Sequence, residues 1–318
     1  MFKRQFLAAA LAVPAFAQTR WPERQPRLIV PFAPGSSTDQ VARLIAARLG
    51  EELGMAMVVE NRVGAGGLLA NQLVARAAPD GYTLLFGGSG GAVAAMMSRD
   101  PGYDPLTDLL PIASFVANPA LLVVPAASPI RSLDDLVAAA RARRGGLSYG
   151  SGGVGTPAHL AGAALVARLG IEAQHVPYRG ANEAALAVER GEVDFAFAIV
   201  NITLPQVRAG NFRPLVLSGG ARSPLLPGVP YLAEIVPGML PITAWVALMG
   251  PAGTPAHIVQ RLHEATERAL NDEAFRARLT ADGGEIVRFA SPAALLEHWR
   301  AEVPRQRELL RLSGARAE

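Results

Sequence analysis

Two junctions of one kind restrict what this chain can become: Val30-Pro31-Phe32-Ala33-Pro34-Gly35-Ser36-Ser37-Thr38-Asp39 and Tyr149-Gly150-Ser151-Gly152-Gly153-Val154-Gly155-Thr156-Pro157. In each, an apolar run passes through Gly, Ser and Thr into a helix-forming segment. Such a junction places unpaired backbone N–H groups and a hydroxyl at the positive end of a helix, which attracts an anion without Lys or Arg. The two lie over a hundred residues apart, far enough to belong to different lobes. Two such ends facing one cleft would clamp a small carboxylate.

Strand-like and helix-like runs alternate around these junctions. Arg27 to Phe32 reads as a buried strand, and Ser37 to Leu53 follows with Val41, Leu44, Ile45, Arg48 and Leu49 at helical spacing. Met57 to Glu60 is a short strand, Leu68 to Ala77 a helix, and Tyr82 to Phe86 a strand after the Pro79-Asp80-Gly81 turn. Ile112 to Val116 and Leu121 to Val124 read as two separate strands, and Ser132 caps a helix with Asp135 three residues on. Strands at 147–149, 175–178, 193–198, 213–217 and 244–249 follow, with helices at 158–169 and 182–190. The end is mainly helical, with a strand at 285–289 and Pro304 expected to kink or split the last helix.

This alternation predicts an α/β protein of mostly parallel sheets flanked by helices. Val123-Val124-Pro125 leaves the first set of strands, and Trp245 to Pro251 returns to it. The expected organisation is two lobes, 18–124 with 246–318 and 125–245, joined by two hinge crossings with the ligand between them.

Lys3 and Arg4, the apolar run from Phe6 to Val13 and the small-residue site Ala15-Phe16-Ala17 form an export-signal pattern. Cleavage after Ala17 and a periplasmic location are expected. Loss of Lys3 and Arg4 takes the formal charge from +3 to +1. Arg141, Arg143 and Arg144, the densest basic group, close a predicted helix where the dipole favours them, so no nucleic-acid surface is expected. The chain has no cysteine, which excludes disulfide and thiolate chemistry. His257 and His263 are six apart on one helix, poor spacing for a shared metal, and no metal or cofactor is expected.

Two motifs suggest other functions. Gly150-Ser151-Gly152-Gly153-Val154-Gly155 fits the dinucleotide fingerprint, with Glu172 near the ribose-acid spacing, but a lone match is a weak signal. Gly87-Gly88-Ser89-Gly90-Gly91 fits a nucleophile elbow, with His175, His257 or His298 as base and Asp194 or Asp282 as orienter. No histidine precedes position 159 to complete an HGGG-type oxyanion loop. The structural alternative is a glycine turn that opens onto the cleft.

The order of motifs along the chain resembles the Bug family, the extracytoplasmic solute-binding proteins of tripartite tricarboxylate transporters. The matches are Pro31 to Asp39, Glu60 to Gly67, Pro79 to Leu84, Tyr103-Asp104-Pro105, Ser151 to Thr156 with His159 to Gly162, His175 to Gly180, Gly191 to Asp194, Arg222 to Pro227 and Pro251 to Pro255. The resemblance implies a two-lobed Venus-flytrap fold without catalysis that closes on a small carboxylate and delivers it to membrane permease subunits; a monomer is the default expectation.

Carried over by position, it implies that Phe32, Ala33, Gly35, Ser36, Ser37 and Asp39 form the first lobe's ligand loop. Ser151, Gly155, Thr156 and His159 form the second's, with Ser89 and Tyr178 near the cleft. This chain departs from the family pattern at Ser36, where glycine is usual, at Gly90 to Ala95, at Ala198 and at Tyr231. A sensor module of the same fold, or a secreted hydrolase using Ser89, would be the alternatives.

Overall fold

The computed structural model describes residues 21–314, except Arg179, Ala221 and Leu240 and the side chain of Ser37. The expected export signal lies outside the described residues. The first half-sheet is built from β1 (Arg27–Val30), α1 (Ser37–Leu53), β2 (Val58–Asn61), α2 (Leu68–Ala75), β3 (Thr83–Gly88) and α3 (Ser89–Met96). β4 (Leu109–Pro125) then leads to α4 (Leu133–Ala142), β5 (Leu147–Ser151), α5 (Pro157–Leu169), β6 (Ala173–Pro177) and α6 (Ala181–Glu189). Next come β7 (Phe195–Ile199), α7 (Val200–Arg208), β8 (Phe212–Leu217) and α8 (Leu232–Ile235). β9 (Thr243–Pro251), α9 (Ala256–Asn271), α10 (Glu273–Thr280), β10 (Glu285–Ile286) and α11 (Pro292–Ser313) complete the chain.

The fold is the expected two-lobed α/β arrangement. β1 pairs in parallel with β2 and β3, and β5 pairs in parallel with β6 and β7. The antiparallel partners are the strands that pass between lobes: β9 pairs with β3 and β4, and β4 with β7 and β8. One apolar core packs α1 and α9 against the first sheet, through Ile45, Leu49, Leu262 and Leu270 on Leu28, Leu84 and Phe115. A separate core holds Leu136, Leu165, Phe195 and Phe197 in the second lobe.

Local chemistry sets the helix starts. Ser36 accepts from Asp39 N–H, Ser132 from Asp135 N–H, Thr156 from His159 N–H and Ser291 from Ala294 N–H. Each is a hydroxyl cap on an otherwise orphaned amide.

Two expectations change. β4 is one strand rather than two; Asn118-Pro119 marks where it changes partners, not where it ends. Residues Leu109–Pro119 pair with β9, and Ala120–Pro125 pair with β7 or β8. α7, which follows β7 without a loop and contains Pro205, occupies a stretch to which the sequence pattern assigns no element. α11 continues through Pro304 without splitting. Its first half packs Leu295, Trp299 and Val303 into the first lobe, and Leu309 reaches the second lobe's core.

At the crossing, Ser218 Oγ accepts from Ala120 N–H at 2.8 Å and donates to Ile242 O at 2.6 Å. Its own backbone groups also bond to Ala120 O and Ile242 N–H. Ser218 is fully buried, so no water replaces these bonds. Ser218→Ala leaves a donor and an acceptor unpaired and should cost about 1–3 kcal/mol, measured as a lowered urea midpoint with an unchanged m-value.

Candidate functional site

The two junctions identified in the sequence are built on one pattern. In the first, Gly35 N–H donates to Asp39 Oδ2 at 2.9 Å, and Asp39 N–H donates to Ser36 Oγ at 3.2 Å. In the second, Gly155 N–H donates to His159 Nδ1 at 3.0 Å, and His159 N–H donates to Thr156 Oγ1 at 3.3 Å. A glycine amide is thus held by the side chain four residues on, while the cap between them returns the bond. This is a relative of the capping box that reaches one residue further back. Gly35 and Gly155 have φ of +80° and +77°, the left-handed region glycine occupies without strain.

The two acceptors differ in charge. Asp39 is 2 % exposed. It also accepts from Arg43 Nε at 2.9 Å and from Asn61 Nδ2 at 2.8 Å. The Arg43 hydrogen bond leads the causes that lower its pKa to about 2 against the opposing effect of burial, with Asn61, Gly35 N–H and the Arg43 charge adding to it. Asn61 donates to Phe32 O at 2.9 Å as well, so one amide ties both ends of the loop. Asp39 therefore shapes the loop, and Phe32, 45 % exposed, projects from it. The first amides of α1, at Ser37 and Thr38, precede any intrahelical acceptor.

The second loop is closed by neutral groups. Ser151 Oγ lies 2.7 Å from His175 Nε2, accepts from Gly153 N–H at 3.2 Å and donates to Gly153 O at 3.0 Å. Thr156 Oγ1 donates to the same carbonyl at 2.8 Å. Burial lowers the His159 pKa to about 4, with the neighbouring His175 adding to it, and burial alone lowers His175 to about 4. Tyr178 N–H donates to Ser151 O at 2.9 Å, and its ring packs beside Gly150.

α3 connects the two loops. A Cβ on Gly155 would lie 3.2 Å from Val93 Cγ1 and 3.3 Å from Met97 Cγ. A Cβ on Gly66 would lie 4.0 Å from Ala94 Cβ, and one on Gly67 3.1 Å from Pro31 Cβ. Contacts therefore run from Pro31 through the 64–67 turn and α3 to Gly155, and both loops follow the carboxyl ends of parallel strands, where α/β sheets hold ligands.

The competing motifs are not assembled. Ser89 Oγ donates to Thr243 O at 3.5 Å, and a Cβ on Gly88 would stand 2.0 Å from Trp245 O, so this glycine run admits β9. His175 is on Ser151, His257 is exposed on α9, and His298 packs against Trp245 and Phe289. Asp194 binds Arg143 and Ser148. Glu172 lies beside Leu147 at the start of β5, whereas the glycine loop follows its end, which is the wrong end for a ribose acid. Sequence reasoning does not find Arg43, Asn61 or the His175–Ser151 bond as site builders. Asn61 stands within the Glu60 to Gly67 motif, but its two partners come from elsewhere in the chain.

Two outcomes follow. Asp39, lowered from 3.8 to about 2, contributes stability that is complete above pH 3.8 and lost as pH falls toward 2. Denaturant midpoints against pH should show this loss in the wild type and lack it in Asp39→Asn. Gly155→Ala combines left-handed backbone with close contact on α3 and should destabilise by about 1–3 kcal/mol in a urea titration.

The chain matches the tripartite tricarboxylate transporter family receptor over residues 41–310. It is 34% identical to protein BugT of Bordetella pertussis over 314 residues, covering 98% of this chain and 96% of that protein. The solved structure of R. palustris Rpa4515 with adipate has a TM-score of 0.80 and 34% identity, over 94% of this chain and 100% of that one. MatC from Rhodopseudomonas palustris with bound malate has a TM-score of 0.76 and 33% identity, over 91% and 100%. Fold, paired helix-start loops and sequence agree: this chain belongs to the TctC/Bug family of periplasmic solute-binding receptors.

Proposed function

We propose that this protein captures a small carboxylate between its two helix-start loops and hands it to the membrane permease of a tripartite tricarboxylate-type transporter. The observation that carries this reading is the contact path through α3, which brings two loops rich in amides and hydroxyls to one helix. Adipate and malate in the related structures fit the same chemistry. The donors offered to the ligand are the first amides of α1 and α5 and the Ser36 hydroxyl, with Ala33, Phe32 and Tyr178 at the margins, while Ser151 and Thr156, whose hydroxyl protons go to Gly153 O, shape the second loop. Asp39, Gly155 and His159 hold the loops, and Ser89 lines the hinge. Each helix start contributes roughly 0.3–2 kcal/mol of dipole attraction, supplemented by charge-assisted hydrogen bonds.

Binding proceeds without chemistry: the ligand favours the closed arrangement and shifts the population toward it. The lobes turn about β4 and β9. The leader pattern supports export to the periplasm with cleavage after Ala17, and no helix among the described residues is long and apolar enough to cross a membrane.

Calorimetry of the mature protein, stripped of carried ligand by unfolding and refolding, tests this against adipate, malate, citrate and aromatic acids. Saturable 1:1 binding of at least one is expected. A refolded protein that binds none, at any concentration up to millimolar, ends the proposal.

A further inference from the structure

The second loop rests on two histidines whose chemistry differs from that of Asp39. His159 Nδ1 accepts the Gly155 N–H at 3.0 Å, so that nitrogen carries no proton and the ring is the Nε2–H tautomer. His175 Nε2 bonds Ser151 Oγ at 2.7 Å. The two rings stack with centroids 3.9 Å apart and planes at 17°. A charge on either would face the other ring with little water between them. Tyr149 from β5 lies against both rings, at 6.5 Å and 4.9 Å, and stacks on Phe195 of β7. Where Asp39 has Arg43, no carboxylate among the described residues contributes to the electrostatics of either ring.

We propose that His159 and His175 are a positioning pair: as neutral, stacked imidazoles they hold residues 151–156 in the ligand-ready shape, and proton uptake by the pair releases that loop. A proton on His159 Nδ1 would set two N–H donors against each other at Gly155. The freed loop would also lose its packing on Val93 and Met97 of α3. Both rings have their ordinary value of 6.5 lowered to about 4, so the latch holds at neutral pH and opens in acid. The release of ligand by this route rests on the carboxylate reading above; the latch itself does not.

The test starts from 15N-labelled mature protein without ligand, titrated from pH 7 to 3.5 by NMR. Both rings should stay neutral through pH 6 and titrate near 4, and the Gly155 and Thr156 amide signals should move with the same midpoint. A midpoint near 6.5 for either ring, or loop amides that ignore the titration, overturns the proposal.

His159→Asn keeps an oxygen able to accept from Gly155 N–H but takes up no proton. Its Gly155 signal should stay in place across that range, whereas His159→Ala should lower Gly155 hydrogen-exchange protection at pH 7 by about tenfold. A Gly155 signal in His159→Asn that titrates as in the wild type also overturns it. In calorimetry with adipate, the affinity ratio of wild type to His159→Asn cancels the ligand's own protonation. That ratio should fall about two- to fourfold between pH 7 and pH 4, and a constant ratio refutes proton-linked release. Adipate that binds neither protein counts against the carboxylate reading, while the NMR titration still decides for or against the latch.

Discussion

Both sheets share β4, and the rest of the architecture follows from that shared backbone ladder. Its amides and carbonyls must stay paired as the strand passes from one lobe to the other, because unpaired backbone groups in a buried setting are costly. Pro119 has no N–H to offer, and Ala120 N–H is taken by Ser218 Oγ. Partners therefore change at a residue that lacks one donor and beside a side chain that supplies an acceptor. β9 returns next to it, and α11 crosses on the outside with one end in each lobe's packing. The lobes are connected by strands whose hydrogen bonds persist, a geometry that favours rotation over separation.

The two helix-start loops show how local hydrogen bonds shape a helix start. Sequence reasoning treats the glycine amides at 35 and 155 as free donors. The structure gives each to a side chain four residues on. The first lobe uses a carboxylate paired with Arg43, and the second uses an imidazole whose burial disfavours its charged form. A buried carboxylate without a cation in the second loop would repel the anion and carry a large desolvation cost. The same turn geometry is therefore built with different chemistry in the two lobes.

Much of the local structure is legible in the sequence. The span of α1 matches its expected limits, and the caps at Ser132 and Ser36 are where hydroxyls precede apolar periodicity. Hydroxyl caps and helical spacing act within a few residues, so a linear reading captures them. The errors have another origin. Pro119 resembles a strand end because its role depends on β9 and β8, which lie far along the chain. α7 has no clear helical signature because its β-branched residues and Pro205 disfavour a helix locally, and only packing on the sheet overrides that preference.

By itself, the sequence determined the strand–helix alternation, the glycine-bearing helix starts and the family pattern, because those depend on composition and short-range spacing. Tertiary structure alone decided which groups meet: Asn61 on Asp39, His175 on Ser151, Gly155 on α3, and Ser89 on the hinge strand rather than on a histidine. Hydrogen bonds and close contacts reach only a few ångströms, and those partners lie from twenty to more than a hundred and fifty residues apart, or in different lobes. No periodicity carries that information; the folding of the two sheets around β4 does.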